Sequence, residues 1–298
     1  MVHHDKCPLC CSLSIVQHLQ TKDHFLSRET FELFKCSDCG FVFIRDYPEE
    51  NMIERYYESD EYISHNDSAS GFLNNLYRLS RALMLRKKRS IVKRFTGLRS
   101  GSLLDIGSGT GHFISVMKEA GWTVQGVEIS EKARKFSVAR FGLEVNPREK
   151  LSSLLSASFD CITLWHVLEH FHEPNKYASE IVRLLKPDGT CIVALPNCSS
   201  FDAQYYREYW AAYDVPRHLW HFSPAAFHLF AEKAGLEIRK MQRLPLDVFY
   251  ISVLSEKYKG SCFYFLVGFL KSLVFAVRSL FRMTASSSLI YFLEKKNH

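Results

Sequence analysis

From Gly101 to Arg243, short apolar runs alternate with stretches whose apolar residues recur every three or four positions. The runs predict strands buried on both faces, and the recurrent spacing predicts helices that cover them. Strands are expected at 102–106, 122–127, 143–146, 159–165, 189–195 and 236–243, with helices near 111–120, 130–141, 173–185 and 224–234. Ser223-Pro224 opens the last of these helices as a side-chain cap followed by a proline at the first helical position. Lys186-Pro187-Asp188-Gly189 reads as the turn that stops one helix and starts the next strand. Alternation of this kind implies an α/β fold, a parallel sheet with helices on both faces. A further apolar run, Ser288 to Glu294, stands apart, beyond an apolar insert at about 245–286.

The first strand ends in Leu103-Leu104-Asp105-Ile106-Gly107-Ser108-Gly109-Thr110-Gly111, an apolar run, a carboxylate and three glycines at alternating positions. A turn without Cβ atoms lets a ligand lie against bare backbone. The glycine spacing is one residue shorter than the dinucleotide fingerprint, and Asp105 would repel a pyrophosphate but suits an ammonium group. The second strand runs into Glu128, 23 residues after Asp105, where a carboxylate can accept from both hydroxyls of a diol.

This pattern resembles the first motifs of class I S-adenosylmethionine (SAM)-dependent methyltransferases, of the small-molecule type 11/23-like kind. The resemblance covers about residues 101–243 and 287–294. It implies a Rossmann-like sheet of seven strands whose last strand, Ser288 to Glu294, is antiparallel. It implies that Asp105 faces the methionine ammonium, that Gly107, Ser108, Gly109 and Gly111 pass under the cofactor, that Glu128 holds the ribose, and that Ile129, Trp165 and His166 complete the cofactor wall. The Asp that often reads adenine after the third strand is replaced by Asn146 and Glu149, and that contact stays open.

The catalytic candidates lie after the fourth and fifth strands, at the carboxyl ends where such sheets bind ligands. His166-Val-Leu-Glu169-His170-Phe-His172-Glu-Pro174 resembles the post-strand motif of many small-molecule methyltransferases. In the ubiquinone-pathway O-methyltransferases the matching positions carry Glu-x-x-Glu-His and are associated with a divalent metal. Here His166 replaces the first Glu, while Glu169 and His170 match. These two are candidate ligands of such a metal, or they brace the loop; His166 lines the methionine end or acts as a base. The loop containing Asp214-Val-Pro216-Arg217-His218-Leu-Trp220-His221 is dense in ionisable groups. Histidine has the intrinsic pKa of a general base, so His218 is the first candidate and His221 the second, with a lid role for the loop as the alternative.

Residues 1–45 form the first unit, a zinc-ribbon-like module. Cys7-Pro-Leu-Cys10 and Cys36-Ser-Asp-Cys39 are two knuckles with 25 residues between them, and four thiolates converging on one centre favour a closed, structural zinc site. Five of the nine cysteines fall in the first 39 residues, which is a metal pattern rather than a disulfide framework and fits a reducing cytoplasm. No apolar leader is read at the N-terminus.

Residues 46–100 are a connector or cap followed by a basic helix, and the net charge of +6 arises in that helix. Nine Lys/Arg and no acid lie between Arg78 and Arg99, without which the balance is 6 − 9 = −3. Apolar Phe72, Leu76, Leu79, Leu83, Ile91 and Phe95 are expected to face the core. The basic face is either solvated or meets a phosphate-rich partner; without interleaved aromatics it is not a nucleic-acid platform. In the insert, residues 262–281 are apolar but interrupted by Lys271 and Arg278. A crossing would leave the last strand on the wrong side of a membrane. The segment is therefore expected to touch a membrane surface or lipid-like substrate, or to serve as core, cover or homodimer contact. The expected activity is methyl transfer from SAM to a small-molecule acceptor, on an oxygen of a glycan, lipid-linked or quinone-like compound. The alternatives are an RNA or protein methyltransferase, and a non-catalytic SAM-binding accessory protein with a zinc interaction module.

Overall fold

The computed structural model describes residues 1–57 and 72–296. Tyr62 of the connector, and the side chains of Phe72, Leu76 and Leu79, lie outside what is described. The strands are β1 (Val2–His3), β2 (Ile15–Lys22), β3 (Thr30–Cys36), β4 (Val42–Ile44), β5 (Asp46–Tyr47), β6 (Ser102–Ile106), β7 (Thr123–Val127), β8 (Val145–Asn146), β9 (Phe159–Trp165), β10 (Leu185–Pro196), β11 (Trp220–His221), β12 (Leu236–Arg243) and β13 (Ser288–Lys295). The helices are α1 (Phe72–Thr96), α2 (His112–Glu119), α3 (Glu131–Phe141), α4 (Pro174–Leu184), α5 (Phe201–Tyr206), α6 (Pro224–Lys233), α7 (Asp247–Tyr258) and α8 (Tyr264–Phe281).

The central sheet has seven strands in the order β12-β13-β10-β9-β6-β7-β8. β8, β7, β6, β9 and β10 are parallel, and β13 runs antiparallel to both its neighbours, as the resemblance implies. Alternate residues of β6, β9 and β10 enter opposite cores, with Leu104, Ile162 and Val193 on one side and Leu103, Cys161 and Ile192 on the other. The expected turn at Lys186-Gly189 is instead part of β10, as an irregularity in its pairing between Leu185 and Thr190. Leu83 is exposed rather than core-facing, while Ile91 and Val92 are buried and Phe95 stacks on Phe292 at 3.4 Å.

The N-terminal unit packs against the α/β domain through a shared sheet. Its strands form a sheet ordered β11-β4-β3-β2, so Trp220 and His221, from the loop after β10, pair with Phe43 and Val42. The Trp220 ring lies among His4, Phe41 and Tyr47. One buried ion pair also spans the two parts. Arg217 contacts Asp23 at 2.8 Å and Asp214 at 2.6 Å, and its Nη1 donates to the Tyr56 carbonyl at 3.0 Å.

Candidate active site

Parallel strands present their carboxyl ends on one edge, and most of the expected site residues stand there. Asp105 is opposite Thr163 in the β6–β9 register, and the Thr163 hydroxyl donates to Oδ1 at 2.6 Å. The carboxyl is 3% exposed. Burial pushes its pKa up to about 7, against the Thr163 bond and the Lys88 ammonium, which pull it down. Lys88, from α1, sits 4.5 Å from the centre of the Trp165 ring, and Phe113 meets that ring edge-on.

Beyond Asp105 the chain turns through Gly107, where φ is +76° and a Cβ would stand 2.4 Å from the Val167 side chain. The amides of Gly107 and Ser108 donate to the Val127 carbonyl at 2.7 and 3.1 Å, which ties the turn to β7. Glu128 is held at the lip of this turn, its Oε2 accepting from the Gly109 amide at 2.8 Å and its Oε1 from the Ser130 amide at 2.9 Å. Gly109 has left-handed φ and open space where a Cβ would point. The Ser108 hydroxyl and the Trp165 indole nitrogen are buried without a hydrogen-bond partner among the described residues. Open space over the turn, unpaired donors and carboxylates at two strand ends fit a cofactor that carries an ammonium and a diol. Ile129, 64% exposed, flanks Glu128.

His166 follows β9 with φ of +59°. Its Nε2 lies 3.0 Å from Asp247, the first residue of α7, and its Nδ1 lies 3.6 Å from Glu169. Burial opposes its charge, but the two carboxylates outweigh burial and raise its pKa to about 10. Paired with two carboxylates, His166 favours its charged form, which argues against a base there.

The structure argues against a base at His221 as well. It lies buried in β11 with its ring against Tyr213, and burial drives its pKa well below the usual value. It is outside the group that the fold does assemble, Glu169, His170 and His218, whose ligand atoms lie within 4.8 Å of one another. The two rings meet edge-on at 4.5 Å. His170 Nδ1 faces the Arg217 carbonyl at 2.9 Å, and His218 Nδ1 faces the Ala212 carbonyl at 2.9 Å. A ring nitrogen facing a carbonyl carries the proton, so each ring keeps its lone pair on Nε2. Burial, the largest cause, lowers His170 to about 4 and keeps it neutral. Glu169 is 1% exposed, and neither of its oxygens accepts a hydrogen bond among the described residues. Two imidazole lone pairs beside an unbonded carboxylate fit a divalent cation of the transition series.

In the N-terminal unit, Cys7 and Cys39 sulfurs lie 3.6 Å apart and those of Cys10 and Cys36 3.4 Å apart. Zinc–sulfur bonds of about 2.3 Å in a tetrahedron set sulfur–sulfur edges of roughly 3.8 Å, so the group fits that ion. Cys11 is exposed and lies outside it.

Lys88 and Asp247 were not singled out from the sequence. Lys88 is one of nine similar cations, and Asp247 acquires meaning only through His166.

A family model described as a methyltransferase domain matches residues 78–241. The chain is 37% identical over 110 residues to a ubiquinone biosynthesis O-methyltransferase of Caulobacter sp. (strain K31), covering 35% of this chain and 42% of that protein. It is 30% identical over 171 residues to a protein of the same name from Bordetella avium, covering 51% of this chain and 70% of that one. The chain thus spans less than half the length of the first relative and about two thirds of the second. Its fold matches that of a SAM-dependent methyltransferase from Archaeoglobus fulgidus with a TM-score of 0.50, at 22% identity over 72% of this chain and 94% of that one.

Proposed function

The chain belongs to the methyltransferase-domain family, and from that premise we propose that it transfers a methyl group from SAM to an oxygen of a small-molecule acceptor, a glycan, lipid-linked or quinone-like compound. The observation that carries the cofactor is the pair of carboxylates, Asp105 and Glu128, on either side of an open glycine turn. The oxygen acceptor is supported by the name the two relatives share.

SAM supplies an electrophilic methyl group on a sulfonium sulfur. Asp105 would pair with its ammonium and Glu128 with its ribose hydroxyls, while the Trp165 face and His166 would line the methionine end. Transfer would be an in-line displacement, the acceptor oxygen bonding to the methyl carbon as the carbon–sulfur bond breaks and sulfur keeps the electron pair. The acceptor's proton must leave, and His218 Nε2, fixed as a lone pair by the Ala212 carbonyl, receives it. The carboxylate of Glu169, which accepts no hydrogen bond among the described residues, favours a second reading, in which Glu169, His170 and His218 would hold a divalent cation that lowers the acceptor's pKa. Cys7, Cys10, Cys36 and Cys39 hold a structural zinc.

Calorimetry tests the cofactor: SAM is expected to bind, and Asp105→Ala and Glu128→Ala to abolish binding. Absence of binding to the wild type overturns the reading. His218→Ala is expected to lower transfer to the acceptor by about 10²-fold or more with SAM affinity intact. If chelation removes activity and a divalent metal restores it, the trio is a metal site; if chelation has no effect, His218 is the base alone.

A further inference from the structure

Helix α8 is inverted relative to a helix folded for water. Its buried residues are Gly268, Ser272, Phe275 and Ser279, and only 22% of the helix is buried. Gly268 approaches α7 so closely that a Cβ would stand 2.5 Å from Val253 Cα. The inward hydroxyls of Ser272 and Ser279 are satisfied within the helix, by the carbonyls of Phe269 at 2.6 Å and Ala276 at 2.7 Å. Outward stand Phe265, Leu266, Leu270, Val274, Val277 and Phe281, the last 88% exposed. Small residues inside and large apolar residues outside is how helices pack when their surroundings are hydrocarbon. A contiguous apolar patch of this kind marks a surface made to be covered.

Charge identifies what covers it. From Lys257 to Leu293 the chain has five cations and no acid. Lys271 is taken by Glu256 at 2.7 Å, and the Arg278 guanidinium lies over the Phe201 ring at 4.1 Å. Lys257 and Lys259, at the end of α7, and Arg282, just past α8, are exposed, so cations stand at both ends of the apolar face. A second copy docked through this face would place cations against cations. Anionic lipid headgroups complement them. A crossing is excluded by topology, because α7 leaves β12 and α8 returns to β13, and these strands pair within one sheet.

We propose that α7 and α8 form an interfacial docking element, which lays the apolar face of α8 in the plane of an anionic lipid bilayer with Lys257, Lys259 and Arg282 among the headgroups. This goes beyond the methyl-transfer reading and does not depend on it. The element is joined to the strand-end site through the Asp247–His166 pair at 3.0 Å, so docking brings that site close to the bilayer.

The test is sedimentation of the chain with phosphatidylcholine vesicles, with and without phosphatidylglycerol. Binding to the phosphatidylglycerol vesicles is expected, weakening as salt is raised. Phe265→Asp combined with Phe281→Asp should reduce that binding roughly tenfold or more with an unchanged melting curve, since both side chains are exposed. Lys257→Glu with Arg282→Glu, on the charged ends alone, should remove the preference for phosphatidylglycerol. Failure to bind either vesicle overturns the proposal, as does equal binding to both. A dimer in sedimentation equilibrium that the phenylalanine substitutions dissociate would assign the face to a second copy and overturn it too.

Discussion

At the scale of single residues, the site is governed by carboxylates, two of which, Asp105 and Glu169, are buried away from water. Asp105 must be ionised to hold an ammonium, yet burial lifts its pKa to about 7. The proton must leave before the cofactor binds, so SAM affinity should fall about tenfold for each pH unit below about 7 and level off above it. Calorimetry between mildly acidic and mildly alkaline buffers checks this, and an affinity flat across that range sinks it. For stability the sign is opposite. The unfolded chain releases this proton at lower pH than the folded one, so without ligand this residue's contribution declines between the ordinary carboxylate pKa of about 4 and about 7. Arg217 is the reverse case, a buried cation between two acids. Arg217→Ala would strand Asp23, which is fully buried, and should cost about 3–5 kcal/mol in urea unfolding. Arg217→Lys should recover little, because one ammonium cannot reach Asp23, Asp214 and the Tyr56 carbonyl together. The triglycine turn, Asp105 and Glu128 were legible because each is a local pattern at a strand end. The preference of His166 for its charged form was not, because it depends on Asp247, 81 residues further along the chain.

At the scale of elements, short-range periodicity was read well and pairing was not. β6, β9 and β12 fall where their apolar runs end, whereas β2 and β3, which alternate weakly, and the two-residue β11 had no such signal. β11 matters most of these, because it carries the loop with His218 onto the cysteine sheet. Removing zinc should therefore unfold β2–β4 and release that loop while leaving the Asp105–Glu128 cradle in place. The expected result is a metal-depleted, reduced protein that still binds SAM by calorimetry but no longer transfers methyl groups. If zinc depletion leaves transfer unchanged, the cysteine sheet does not position the loop. Metal analysis should return about one zinc per chain from the cysteine cluster.

At the scale of the whole molecule, the N-terminal unit and the α/β domain share a core. Leu33, Phe43, Trp220, Phe222 and Leu195 belong to one buried cluster. A fragment starting at residue 72 would expose Trp220, Phe222 and the stranded Arg217, so it should aggregate or melt well below the intact chain in a thermal scan. A fragment as stable as the whole would show the two parts to be independent. The sequence by itself determined the order of the main strands and helices of the α/β domain, the glycine turn after β6 and the four clustered thiols. All of these are set by spacings of a few residues, within reach of sterics, hydrogen-bond periodicity and ligand geometry. The tertiary structure alone decided which histidines turn Nδ1 to a backbone carbonyl, which stands between two carboxylates and which is buried in a sheet. It also decided that α8 turns its apolar face outward. Ring charge and helix orientation follow from partners brought together across long stretches of chain, and no local pattern records which partner arrives.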